Sequence, residues 1–329
     1  MQDKQYKCSN CRKQTNDVRP ITEDSGLDYC HDCFIGKLSP LLLSNIRLAF
    51  MKGGIDTLNS GLSTLPYDVL VTIGQKINNK SINLINVNYT QKKAFQKITN
   101  KSNKYIENCF HIAFSLIKKK YTHKLINGPI SKKHFLNKKF YGVTEYIADN
   151  FSTKKNGMLI YNKKLSVCPV TTHLPLKFVS NSIKKKVIHE KIDLINRFYK
   201  KNFNIKPRIG VLGLNPHCET IDKFNEDEKI IKPIIKYLKR SRYNVSGPLS
   251  SDTAFLKDNR KNFDVILGMY HDQVLTPIKT LFEYDAINIT LGLPFTRISP
   301  DHGPNQKMLG KNLSNPLSLI RSISFLEKN

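Results

Sequence analysis

Three short apolar runs in this chain each end in a polar knot that carries a histidine. They are Leu165-Ser-Val-Cys-Pro-Val-Thr-Thr-His173, Ile209-Gly-Val-Leu-Gly-Leu-Asn-Pro-His217 and Phe263-Asp-Val-Ile-Leu-Gly-Met-Tyr-His271. Runs of this length, rich in Val, Ile and Leu, suit strands buried on both faces of a parallel sheet. In open α/β sheets the carboxyl ends of the strands border the ligand crevice. Three imidazoles at three such ends are placed to converge, and three histidines with one open position make a catalytic divalent-metal site. Taken singly, each histidine has a plainer reading as a hydrogen-bonded residue at a strand end. Their company argues for more, since Asn215 and Pro216 precede His217 while Asp272 and Gln273 follow His271.

At 329 residues the chain is long enough for a sizeable core, as one large domain or two lobes. The formal charge of +27 raises the question of a nucleic-acid partner. The lysines are spread over nearly every segment, however, and aromatics do not interleave with them as a base-stacking surface requires. A generally cationic surface that attracts small anionic substrates is the preferred reading. No apolar stretch approaches the ~18 residues of a membrane span, and the polar N-terminus lacks the core of a signal peptide. A cytoplasmic location is expected, with reduced thiols.

Cys8-Ser-Asn-Cys11 and Cys30-His-Asp-Cys33 form two CxxC knuckles at zinc-ribbon spacing. Cys8, Cys11, Cys30 and Cys33 are therefore expected to hold a structural zinc that staples residues 1–38, a segment too small to fold unaided. Ser39-Pro40 opens a helix that Gly53-Gly54 ends. Tyr67–Ile73 and Ile82–Val87 resemble strands, Tyr105–Lys120 reads as an amphipathic helix and His123–Pro129 as a strand entering a turn. Beyond that point strands alternate with helices over 186–203 and 224–241, the second kinked or truly begun by Pro233. Such alternation predicts an α/β fold with a largely parallel sheet over residues 39–329. A Ser246-Gly-Pro turn precedes Asp252. Asn215 and Asp252 are candidates for cofactor contacts. Lys279 and Arg297, near the histidine-bearing runs, suit a phosphate or carboxylate.

As a set, Asn127-Gly-Pro-Ile-Ser-Lys132, Gly142-Val-Thr-Glu-Tyr146, Thr171-Thr-His-Leu-Pro175, Gly213-Leu-Asn-Pro-His217, Gly247-Pro-Leu-Ser-Ser-Asp-Thr253, Met269-Tyr-His-Asp-Gln273, Thr290-Leu-Gly-Leu-Pro-Phe-Thr-Arg297 and Asp301-His-Gly303 resemble the 4-hydroxythreonine-4-phosphate dehydrogenase family of vitamin B6 biosynthesis. The resemblance runs from about Leu125 to the C-terminus. It implies a two-lobed fold like that of isocitrate and isopropylmalate dehydrogenases, and a homodimer with the site near the subunit interface. His173, His217 and His271 then hold a divalent metal (zinc, cobalt or magnesium), and Thr144, Lys279, Asn288 and Arg297 bind the phosphorylated substrate. The implied reaction is NAD-dependent oxidation, with decarboxylation, of 4-phosphooxy-L-threonine to 3-amino-2-oxopropyl phosphate. The absence of a GxGxxG motif agrees with a fold that binds NAD without one.

Three departures from the family pattern stand out. Val143 replaces a histidine, Pro304 replaces a threonine, and the first 60 residues carry the cysteine pairs where the family has a Gly- and Pro-rich turn. Two alternatives follow. One is a zinc-ribbon nucleic-acid-binding protein on an inactive scaffold; the other is a related dehydrogenase acting on a different hydroxy acid.

Overall fold

The computed structural model describes residues 85–89, 98–136, 139–140, 142–221, 224–304, 306–308, 311 and 313–328, together with four short strands before residue 31. Those four strands belong to one compact unit, in which Tyr6–Lys7 pairs with Gln14–Thr15 and Val18–Pro20 with Asp28–Cys30, both antiparallel. Cys8, Cys11 and Cys33 lie outside the described residues, as do the helix expected over 39–53 and the strand expected at 67–73. Of the strand expected at 82–87, the described residues 85–87 are not part of a sheet.

Residues 86–329 belong to the second unit, built on one eight-stranded sheet. Its strands are β1 (Lys124–Ile126), β2 (Gly157–Tyr161), β3 (Ser166–Pro169), β4 (Ile209–Leu212), β5 (Val245–Leu249), β6 (Val265–Gly268), β7 (Ile287–Leu291) and β8 (Thr296–Pro300). They lie in the order β1-β8-β7-β2-β3-β6-β4-β5. The half formed by β3, β6, β4 and β5 is wholly parallel, and β1 is parallel to β8. The pairings of β7 with β8 and β2, and of β2 with β3, are antiparallel. The three histidine-bearing runs thus form the adjacent strands β3, β6 and β4, every residue of which is buried. Their carboxyl ends share one rim of the sheet.

The main helices are α1 (Asn103–Lys118), α2 (Val143–Asn150), α3 (Lys185–Phe203), α4 (Lys232–Arg240), α5 (His271–Phe282) and α6 (Leu317–Lys328). One face of the sheet is covered by α3, α4 and α6, through Ile188, Ile192, Ile195, Ile234, Leu238 and Phe325. Val274 and Ile278 of α5 pack on the opposite face against Val167, Leu212 and Ile266. A third apolar cluster joins α1 and α2 to Leu125 through Phe110, Phe114, Val143 and Ile147. Val143, at the position where the family pattern has histidine, is thus a core residue. Ile192 is fully buried in the first cluster. Ile192→Ala should cost about 3 kcal/mol, read from urea unfolding, because the methylenes lost leave a cavity that the packed sheet does not refill.

Two expectations are refined. Pro233 marks the start of α4, following a π-helical turn at Asp227–Ile231. The Ser246-Gly-Pro segment expected as a turn lies within β5, the edge strand. An edge position tolerates the missing N–H of Pro248. Gly247, with φ +135°, supplies the bend where the register against β4 shifts; a Cβ there would stand 2.3 Å from the Val211 carbonyl oxygen.

Candidate active site

The parallel half of the sheet delivers His173, His217 and His271 to its rim through different local structures. His173 follows β3, which continues beside β6 as the Thr171 hydroxyl donates to the Met269 carbonyl at 2.8 Å. His271 opens α5 directly after the extended Tyr270. His217 sits in a loop after β4 with φ +55°, and Cys218 follows at φ +63°. Consecutive left-handed non-glycine residues are costly, so the surrounding structure must impose them.

Asp227 is the main constraint on that loop. Wholly buried, it accepts hydrogen bonds from Leu214 N (2.9 Å), Asn215 N (3.0 Å) and the Asn215 amide (3.0 Å). The same amide also donates to Glu226 at 3.0 Å. Gln273 braces the neighbouring strand ends. Its oxygen accepts from Met269 N at 2.6 Å, while its amide donates to the Gly213 carbonyl at 2.7 Å and the Ser251 hydroxyl at 2.8 Å.

The rings of His173 and His271 lie 5.6 Å apart between centroids. His173 is held neutral, its pKa brought down to about 4 by burial and then by the Lys132 ammonium. Its Nε2 is 2.8 Å from Lys132 Nζ. His271 Nδ1 is 2.6 Å from Asp272 Oδ1. His217 is well exposed and faces Ser250 (3.5 Å) and Asp252 (3.9 Å). Asp252, itself exposed, has its pKa lowered by the Ser250 hydroxyl and then by His217.

The chain therefore brings two of the three expected metal-binding imidazoles together and leaves the third beside Asp252. Among the described residues, no three His, Cys, Asp or Glu side chains gather around a common point in the single chain. The donors themselves suit a divalent ion. A neutral imidazole presents a lone pair, and a carboxylate on the far nitrogen of His271 orients that ring as carboxylates orient metal-ligating histidines.

Near the imidazoles stand two cations, the Arg297 charge bearing on Lys132, which in turn touches His173. Arg297, on β8, is fully buried, and burial brings its pKa down to about 10. Its Nε donates to Asn127 Oδ1 at 2.7 Å, and Nη1 donates to Thr290 at 2.9 Å and Thr144 at 3.5 Å. Burial also lowers the pKa of Lys132, opposed by Glu145. Lys279 pairs with Asp301 at 2.7 Å. Burial raises the Asp301 carboxyl pKa, an effect the Lys279 ammonium opposes. Asn288, on β7, has a buried amide oxygen without a partner.

Sequence reasoning selected Thr144, Lys279, Asn288 and Arg297 but passed over Lys132, Glu145, Asn127, Asp227, Gln273 and Asp301 as working residues. Lys132 and Glu145 each stand inside a motif quoted above, and that membership was the available signal.

The family model described as pyridoxal phosphate biosynthetic protein PdxA matches residues 46–326. A 4-hydroxythreonine-4-phosphate dehydrogenase from Sulfurihydrogenibium sp. is 43% identical over 223 residues, covering 67% of this chain and 67% of that protein. The protein of the same name from Aquifex aeolicus is 39% identical over 210 residues, covering 62% and 64%. The chain thus spans about two thirds of the length of these curated relatives. Among solved structures, a putative 4-hydroxythreonine-4-phosphate dehydrogenase from Salmonella typhimurium superposes with a TM-score of 0.66 at 28% identity, covering 78% of this chain and 80% of that one. Neither alternative reading gains support from these relatives. With a family match that takes in the histidine rim and the residues around Arg297, the chain belongs to the pyridoxal phosphate biosynthetic protein PdxA family.

Proposed function

We propose that this protein oxidises 4-phosphooxy-L-threonine with NAD, with loss of carbon dioxide, to give 3-amino-2-oxopropyl phosphate. The relatives carry that dehydrogenase's name. The observation that carries the reading onto this chain is the paired imidazoles of His173 and His271, joined through Lys132 to the charge of the buried Arg297 guanidinium. A phosphorylated hydroxy acid needs both: a fixed cationic fork for its anionic groups and a polarising centre at its hydroxyl. His173, His217 and His271 would hold the divalent ion, whose chemistry there would be to acidify the substrate hydroxyl, with NAD as the hydride acceptor.

The chain's own residues bind and orient. Arg297 offers a planar fork whose other donors are already fixed on Asn127, Thr290 and Thr144, so little ordering remains to be done when an anion arrives. Lys279, held on Asp301, adds a point charge. The unpartnered amide oxygen of Asn288 can accept from a substrate N–H or O–H. The reading includes a two-lobed domain over 39–329, a homodimer whose second copy borders the site, cofactor contacts from Asn215 and Asp252, and a structural zinc on the N-terminal cysteines. Among the described residues no helix is long and apolar enough to cross a membrane.

His217→Ala tests the histidine set. NADH formation from 4-phosphooxy-L-threonine should fall by about a hundredfold or more if the imidazole is a ligand. Undiminished turnover would remove His217 from the reaction.

A further inference from the structure

A lysine carries its charge on a flexible four-carbon stem, which makes it a poor pointer unless something holds the far end. In Lys279, from the last turn of α5, that end is held by a single residue. Its Nζ donates to the main-chain carbonyl of Asp301 and stands 2.7 Å from Oδ2 of the same residue. The Asp301 carboxylate is only 9% exposed. Apart from the ion pair, its buried Oδ2 has no hydrogen-bond partner. Burial raises the carboxyl pKa, and among the charges that oppose the shift Lys279 leads, ahead of His302 and His271. A carboxylate taken out of water in this way is sustained by its cation.

Asp301 is itself fastened. It directly follows β8, and its N–H donates to Ser318 Oγ at 2.9 Å. Ser318, buried in the first turn of α6, donates in turn to the Ala286 carbonyl, just ahead of β7. One knot thus ties the strand of Arg297, the helix of Lys279 and the strand of Asn288. An ammonium has three donors and no acceptor. With one donor on the Asp301 carbonyl and the charge drawn to the carboxylate, the group is already placed when an anion arrives, and little ordering remains.

We propose that Asp301 is a positioning residue for Lys279: it grips the ammonium between its carbonyl and its carboxylate, and so sets where that charge meets the substrate relative to Arg297 and Asn288. This role rests on the reading of Lys279 as a substrate contact, although the grip itself is measurable without substrate. A salt bridge that merely fastened α5 to the end of β8 would add stability and leave substrate binding to Lys279 alone.

The test uses the full chain as wild type, Asp301→Ala, Asp301→Asn, Lys279→Ala and the double variant of Asp301→Ala with Lys279→Ala. 1H–15N spectra of protein labelled at the lysine side-chain nitrogens report the Lys279 ammonium, assigned by its loss in Lys279→Ala. Wild type should show a resolved, slowly exchanging signal, and Asp301→Ala should lose it. In steady-state kinetics with 4-phosphooxy-L-threonine, Lys279→Ala should raise KM about 30-fold and Asp301→Ala about tenfold, with kcat less affected. The double variant should be no worse than Lys279→Ala alone, because Asp301 acts through the group already removed. Asp301→Asn, which keeps an acceptor oxygen, should recover part of the KM. Effects that multiply in the double variant, to about 300-fold, overturn the proposal. So does a Lys279 signal absent from wild type or unchanged in Asp301→Ala. Should Asp301→Ala fail to fold, Asp301→Asn, alone and combined with Lys279→Ala, decides by the same comparisons. If the wild type does not turn over this substrate, the functional reading fails, while the spectra still judge the grip.

Discussion

Replacing Arg297 by alanine should lower kcat/KM for 4-phosphooxy-L-threonine about a thousandfold, roughly 4 kcal/mol of transition-state binding. The magnitude follows from what is lost. A charge-assisted hydrogen bond is worth about 1.5–3 kcal/mol, and a guanidinium fork can offer an anion two. Asn127, Thr290 and Thr144 already fix Nε and Nη1 of Arg297, so its remaining donors are held in place. The variant also leaves the Asn127 and Thr290 oxygens without their donor inside the protein, so some loss of thermal stability should accompany the loss of activity. Arg297→Lys separates the two contributions. It keeps the charge but not the planar fork, and should recover only a small part of the rate. Steady-state kinetics on all three proteins, with circular dichroism melts, checks the argument. Near-normal kcat/KM in Arg297→Ala would take the guanidinium out of substrate binding.

Asp227→Ala should destabilise the protein by about 4 kcal/mol without touching the reacting groups. Asp227 is completely buried and satisfies two main-chain N–H groups and one side-chain amide, those of Leu214 and Asn215. The Asn215 amide keeps Glu226, but the two half-buried main-chain donors lose their partner at about 1–3 kcal/mol each. For a domain of this size that corresponds to a drop in Tm of roughly 8 °C. The segment released is the one that carries His217 in its left-handed conformation, so turnover should fall as well. Asp227→Asn retains one acceptor oxygen but turns an NH2 group toward backbone donors, and should lie between. Urea and thermal unfolding measure the first effect, and NADH formation the second. A shift below 1 kcal/mol in Asp227→Ala would mean that water replaces the carboxylate and that the loop holds itself.

Much of this was legible in the sequence, and the reason is physical. The runs at 165–170, 209–212 and 263–268 are apolar on both faces because the strands they form are covered by helices on both sides. The helices over 105–120 and 186–203 were legible because each buries only one stripe. β5 was read as a turn because Gly247 and Pro248 signal one locally, whereas an edge strand with a register shift accommodates both. β8 gave a weaker signal because Thr296, Arg297 and Ser299 interrupt its apolar residues.

At the site, residue type revealed the histidines and Arg297. It could not reveal Asp227 or Gln273, whose partners are main-chain atoms, since any sequence supplies those and only the fold brings them near. Lys132 and Glu145 were visible as charges but not as a pair, because only the fold brings one charge within reach of the other.

The Gln273 brace has a wider consequence. Its three bonds reach a backbone N–H, a backbone carbonyl and one serine hydroxyl, so the rim is fastened almost entirely through groups that every amino acid carries. The reactive side chains on that rim are passengers on the fastening. Evolution can exchange them for others suited to a new substrate while the mounting beneath stays as it is.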